Sequence, residues 1–181
     1  GARGAFSAPF ESMLFLVERV PCSGGDEAFE RFRALCRQGD VAAFIFEPLV
    51  QGAGGMKMYA ASVLDTYMAI AREFGVVTIA DEIMTGFGRT GELFASSGLA
   101  RPPEILCLSK GLTGGTMPLA VTLVGDELFD AFLSSDHSRT FFHGHTYTAH
   151  PVACAVARKA LELTSRAECS ADRVRIERQH C

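Results

Sequence analysis

The sequence predicts an α/β domain built on a parallel sheet, and three observations carry that prediction. The runs VAAFIFEPL, VVTIADEI and EILCLSK are rich in apolar and β-branched residues and read as buried strands. Between the first two lies a stretch of helical periodicity that puts Val63, Leu64, Tyr67, Met68 and Ala71 on one face, which makes a βαβ unit. Each hydrophobic run also ends in an ionisable residue, Glu47, Asp81 or Lys110. Parallel strands carry their carboxyl ends to one edge, where open α/β sheets hold their ligands, so these three residues mark a site.

In chain order, FESMLFLVERV reads as a strand and DEAFERFRALCRQG as an amphipathic helix stopped by Gly39. The first buried strand starts at Val41, and the glycine loop QGAGG leads to a helix from about Ala60 to Phe74, closed by Gly75. After VVTIADEI, the segment TGFGRTG turns the chain, ELFASSGL forms a short amphipathic stretch, and Pro102 and Pro103 break it before EILCLSK. Beyond the loop GLTGGTMP come a strand, LAVTLVG, and a helix capped by Asp126, DELFDAFLSS. TFFHGHTYT then leads to a helix from Pro151 to about Leu163, and Glu168 to His180 reads as a last, charged helix.

With 181 residues, 48% of them hydrophobic, the chain can bury the core of one domain. Its net charge is −4 and its basic residues are scattered, which argues against nucleic acid and anionic membrane as partners. Charges and glycines interrupt every apolar run well before membrane-spanning length, and MLFLV is too short for a signal-peptide core, so a soluble cytoplasmic protein is expected. The six cysteines, Cys22, Cys36, Cys107, Cys154, Cys169 and Cys181, include no C-x-x-C pair and read as reduced thiols. A start without Met and an end in RVRIERQHC lead us to expect a fragment.

The candidate chemistry begins at Asp81. A carboxylate closing an apolar strand needs a cationic or hydrogen-bonding partner, and Ile83, two residues on, shares its face of the strand. An acid beside an apolar side chain is what a pyridine ring requires; the alternative is an aspartate that caps the next turn. Lys110 ends the next strand before the glycines of GLTGG. A lysine with a desolvated stem there is suited to Schiff-base chemistry, against the plainer reading of a surface lysine. The glycine-rich loops fit neither the P-loop nor the dinucleotide-binding pattern. His143, His145 and His150 lack accompanying Cys or carboxylate ligands at metal spacing, so no metal is expected. Thr146 and Thr148, just before a helix, either bind an anion or cap that helix.

Taken together, EPLVQGAGGM, IADEIMTGFGRTGELFA, PEILCLSKGLTGGTMPLAVTL and TFFHGHTYTAHPVACAVA resemble, in order and spacing, the large domain of the class III pyridoxal-phosphate aminotransferases. The resemblance implies a fold-type I, three-layer α/β/α domain with pyridoxal 5'-phosphate as cofactor. Lys110 matches the lysine that binds the cofactor, Asp81 the partner of its ring nitrogen, and Ile83 the residue covering one ring face. Thr146 matches the residue that reaches the phosphate of the neighbouring subunit, which implies a homodimer with the site at its interface. Glu47 and Arg89 match residues on the substrate side.

The boundaries implied are a flanking part over 1–40, the cofactor-binding core over 41–165, and over 166–181 the start of a connection towards a small domain. The partners are a small-molecule amino donor and a keto acceptor. Within the class, DEI followed by Met84, LTGGTMPLAVTL and FFHGHTYTAHP are most similar to the biotin-pathway branch, with S-adenosylmethionine as donor. The alternatives are an ω-amino acid:pyruvate aminotransferase and a non-catalytic remnant of the fold. Against the remnant, Lys110 without a cofactor would be a costly buried charge. Met84 stands where many relatives have Gln, and His150 where they commonly have Asn.

Overall fold

The computed structural model describes residues 8–180. Its α-helices are α1 (Asp26–Arg37), α2 (Ala61–Glu73), α3 (Asp126–Asp130), α4 (Pro151–Thr164) and α5 (Ala167–His180). The strands are β1 (Ala43–Phe46), β2 (Val50–Gln51), β3 (Lys57–Met58), β4 (Val77–Asp81), β5 (Ile105–Leu108) and β6 (Val121–Val124). The main sheet runs β1, β4, β5, β6. β4 is parallel to both neighbours, while β6 returns antiparallel to β5. The architecture is therefore α/β with a mostly parallel sheet flanked by helices. β2 and β3 pair as a separate antiparallel ribbon around the QGAGG loop.

The core forms where α1 and α2 cover one face of the sheet. α2 buries Leu64, Tyr67, Met68, Ile70 and Ala71, four of them among the five residues expected on its inner face, against Phe32 and Cys36 of α1 and Phe44 and Phe46 of β1. Alternation along β1 sends its two phenylalanines inward. The Tyr67 ring meets Phe29, Phe32 and Phe44 at centroid distances of 4.9, 5.3 and 5.5 Å, and its hydroxyl donates to the Pro21 carbonyl at 2.9 Å. Gly75 ends α2 at φ 68°, a left-handed conformation that glycine adopts without a steric penalty.

Several expectations are corrected. FESMLFLVERV forms no strand: Ala8–Met13 is a 3-10 turn, the chain then runs irregularly, and Leu16 is 93% exposed. Among the described residues the segment has no neighbouring strand to pair with. Asp126 is the first helical residue of α3 and Gly125 the cap, and the helix ends at Asp130 instead of running through DELFDAFLSS. Between β4 and β5 the crossover carries only a 3-10 turn, Ala95–Gly98. The five described cysteines are unpaired, while Cys181 and residues 1–7 lie outside the described residues. Among those described, no helix is long and apolar enough to cross a membrane.

Candidate active site

The sheet order places the three strand-end residues along one edge. Phe46 pairs with Ala80, so Glu47 and Asp81 stand one position further on adjacent strands. Asp81 pairs in turn with Cys107 of β5, and Lys110 lies just beyond that strand, opening the 3-10 turn Lys110–Thr113. α4 packs on this turn, burying Ala153 and Ala157, while the turn itself buries Leu112 and Thr113. Ser109 fixes the approach by donating its hydroxyl to the Leu119 carbonyl at 2.8 Å.

Asp81 is half-buried and its Oδ1 accepts from the Ile83 amide at 3.0 Å. The side chain thus closes the turn after β4, as the turn-capping alternative requires, while Oδ2 takes no hydrogen bond among the described residues. The expected cationic partner is absent from its contacts there. Its charge is felt instead at Cys107, whose thiol is pushed up by burial, with Thr122 hydrogen bonding offsetting part of the shift and Asp81 adding to it.

Lys110 is exposed and forms no ion pair among the described residues, which corrects the expectation of a desolvated stem. The strand ends at Leu108, so the lysine stands past the sheet edge on a surface turn. Without a cofactor, Lys110 is therefore a solvated surface charge and not a costly buried one, contrary to expectation.

Glu47 turns into its own loop. Its Oε2 accepts from the Gly52 amide at 2.8 Å, and its backbone carbonyl accepts from the Tyr59 hydroxyl. Burial, with smaller contributions from Cys22 and Glu47, pushes the Tyr59 phenol up, which keeps it a donor. A Cβ built on Gly52 would lie 3.3 Å from Met84 Cγ, so Met84 sits between this loop and the end of β4.

Ile83 is half-buried beside Asp81, whereas Arg89 and Thr146 are exposed. Neither of the exposed pair makes a side-chain hydrogen bond or ion pair among the described residues. His150 caps α4, its Nδ1 accepting from the Ala153 amide at 3.4 Å, so neither threonine is the cap. Thr148 Oγ1 accepts from the His145 amide at 3.1 Å. Among the described residues no group of His, Cys, Asp and Glu is arranged to hold a metal ion.

Glu82 is absent from the candidates the sequence singles out. The alternation that turns it away from Asp81 turns it into the interior, where it is 0% exposed. Its Oε2 accepts from the Ala95 amide at 2.8 Å and the Thr85 hydroxyl at 3.4 Å, and its Oε1 from the Ser96 amide at 2.7 Å and the Ser96 hydroxyl. The signal was the DE pair itself, since two adjacent carboxylates at a buried strand end face opposite sides and one must find its donors inside.

Comparison with known proteins gives a consistent result. The family model described as aminotransferase class-III matches residues 6–179. The adenosylmethionine-8-amino-7-oxononanoate aminotransferase of Synechococcus elongatus is 47% identical over 174 residues, covering 90% of this chain and 41% of its own. The enzyme of that name from Geobacter sulfurreducens is 47% identical over 159 residues, 86% of this chain and 35% of its own. Among solved structures, the adenosylmethionine-8-amino-7-oxononanoate aminotransferase of Methanocaldococcus jannaschii matches 92% of this chain and 40% of its own at a TM-score of 0.83 and 34% identity. An amine transaminase from an uncultivated Pseudomonas species, in its PLP-bound form, matches 76% of this chain and 32% of its own at a TM-score of 0.70 and 37% identity. The chain thus spans at most 41% of the length of these relatives.

Proposed function

This chain belongs to the class III aminotransferase family, and from that premise we propose that it forms the central part of a pyridoxal-phosphate enzyme that moves an amino group from S-adenosylmethionine to 8-amino-7-oxononanoate in biotin synthesis. The observation that carries this reading is the placement of Asp81 at the end of β4 and of Lys110 just past the end of the neighbouring β5, in a chain 47% identical to an enzyme of that name.

The residues present fit the cofactor. A pyridinium N–H needs an acceptor, and Asp81 offers Oδ2 while Oδ1 is tied to Ile83. An aldehyde needs an amine, and Lys110 holds one that forms no ion pair among the described residues. When bound, pyridoxal phosphate supplies an electron sink for the bond broken at the substrate's α-carbon. Asp81 would keep the proton on the ring nitrogen, Ile83 would cover one ring face, and Lys110 Nζ would hold the cofactor and, once displaced by the incoming amine, take the proton from the substrate's α-carbon. Thr146 binds the phosphate across a homodimer interface, and Glu47 and Arg89 line the substrate side. We place the protein in the cytoplasm and assign the cofactor-binding core to residues 41–165, with 1–40 as its flank and 166–181 leading to a small domain.

An ω-amino acid aminotransferase is the second reading, favoured by the 37% identity to the amine transaminase. The test uses a polypeptide of the relatives' full length containing this chain. Borohydride treatment and peptide mapping should place the cofactor's mass on Lys110; its appearance only elsewhere would sink the assignment. S-adenosylmethionine should then bleach the visible absorbance of the bound cofactor, and bleaching by alanine or β-alanine instead would transfer the protein to the second reading.

A further inference from the structure

A carboxylate buried from solvent sits next to Asp81, and its contacts lead to Lys110. Glu82 ties three pieces of chain together. Its amide donates to the Cys107 carbonyl at 2.9 Å, continuing the β4–β5 ladder past Asp81, and its carbonyl accepts from the Gly86 amide at 3.0 Å. Its carboxylate gathers the Ala95 and Ser96 amides, one on each oxygen. Two backbone N–H groups, which can only donate, and two hydroxyls hold those oxygens, so both oxygens are used as acceptors.

What this clamp fixes is the loop between Gly86 and Phe94. Phe94 precedes the clamped amides directly, and its ring packs edge-on against Phe87 at a centroid distance of 5.5 Å and 71°. Phe87 is held at φ 61°, a conformation that a bulky residue adopts only under constraint from its surroundings. The constraint has a purpose visible in the packing. A Cβ placed on Gly111 would lie 2.8 Å from both Cβ and Cδ2 of Phe87, so the phenylalanine lies directly on the backbone that follows Lys110.

We propose that Glu82 is a positioning residue for Lys110: through the 95–96 turn, Phe94 and Phe87, it presses the lysine turn into register with Asp81. The proposal rests on the function assigned above to Asp81 and Lys110, and adds to it a residue that meets neither cofactor nor substrate. Glutamine keeps the size of Glu82, but it offers one acceptor oxygen and turns an NH2 group towards an amide N–H, so one side of the clamp must open.

The experiment compares full-length Glu82→Gln with the parent by pyridoxal-phosphate attachment, trapped with borohydride and read by mass spectrometry at Lys110 relative to Lys57 and Lys159. Phe32→Leu, a core change remote from this contact chain, serves as the control for general destabilisation. All are measured well below their melting temperatures. Because small displacements of a reacting group are costly, attachment at Lys110 should slow by about tenfold or more in Glu82→Gln, with Lys57 and Lys159 unchanged and Phe32→Leu like the parent.

Where Glu82→Gln does not fold, Phe94→Leu interrupts the same chain of contacts one step later and should slow Lys110 in the same way. Parent-like attachment in the folded variant overturns the proposal and reduces Glu82 to a support of the fold. An equal slowing in Phe32→Leu overturns it too. Absence of attachment at Lys110 in the parent itself is a separate outcome, which overturns the assigned function and this inference with it.

Discussion

Glu104 opens the strand EILCLSK and carries no obvious task in the sequence, yet its carboxylate joins three elements. One oxygen accepts from the Thr78 amide at 2.8 Å and from the Thr78 hydroxyl, and the other from Arg72 at 3.2 Å. Burial alone would raise its pKa, but these hydrogen bonds outweigh it and hold the group below its ordinary 4.5. A folded pKa below the unfolded one stabilises the fold fully above the unfolded value, and that stability is lost as pH falls through the folded value. The side chain is 35% exposed, so Glu104→Gln should cost only about 1 kcal/mol near neutral pH. Thermal melts should show that difference shrinking below pH 4.5 and vanishing in stronger acid; a difference independent of pH would contradict it. Asp81 and Lys110 were legible because a polar residue at the end of an apolar run stands out. Glu104 was not, because its donors come from α2 and β4, 32 and 26 residues earlier in the chain; for Glu82 the DE pair signals an inward carboxylate but not the donors, which the turn at 95–96 brings in.

The helices were legible wherever one face meets the core. The pattern of α1 puts Phe32 and Cys36 inward against α2, as the amphipathic spacing of DEAFERFRALCRQG implies. Phe32 is 4% exposed, and its ring lies 5.0 Å from Phe44 and 5.3 Å from Tyr67. Phe32→Ala would open a void between two helices and a strand that cannot close around it, and should cost about 3 to 5 kcal/mol. A melting curve within 1 °C of the parent would mean the cluster repacks, which its interlocked aromatic rings argue against. The elements misread were those whose apolar residues are left exposed among the described residues. FESMLFLVERV carries strand composition without a neighbouring strand, and α3 stops after one turn with Phe129, Phe132 and Leu133 exposed. Hydrophobicity fixes an element only where there is something to bury it against.

That same lack of partners extends along the chain from β6 to α4. From β6 to α4 nearly every described residue is exposed, including Phe141, Phe142 and Tyr147 beside Thr146. A second copy covering these side chains is the arrangement proposed here. If Thr146 serves the neighbouring subunit, Lys110 and Thr146 of one chain belong to different sites, and defects in them must complement. Full-length subunits carrying Lys110→Ala should be inactive and those carrying Thr146→Ala weak, because one lacks the cofactor's amine and the other a phosphate contact. In a mixed dimer one site collects both substitutions and the other neither. Equal mixing makes half of the dimers mixed, so activity should recover to about a quarter of the parent's, above the average of the two variants. Mass spectrometry of the intact dimers establishes that mixing has occurred. Activity no higher than that average, in a sample with mixed dimers present, would place Thr146 with its own chain's Lys110 and leave the exposed apolar side chains to be covered for some other reason.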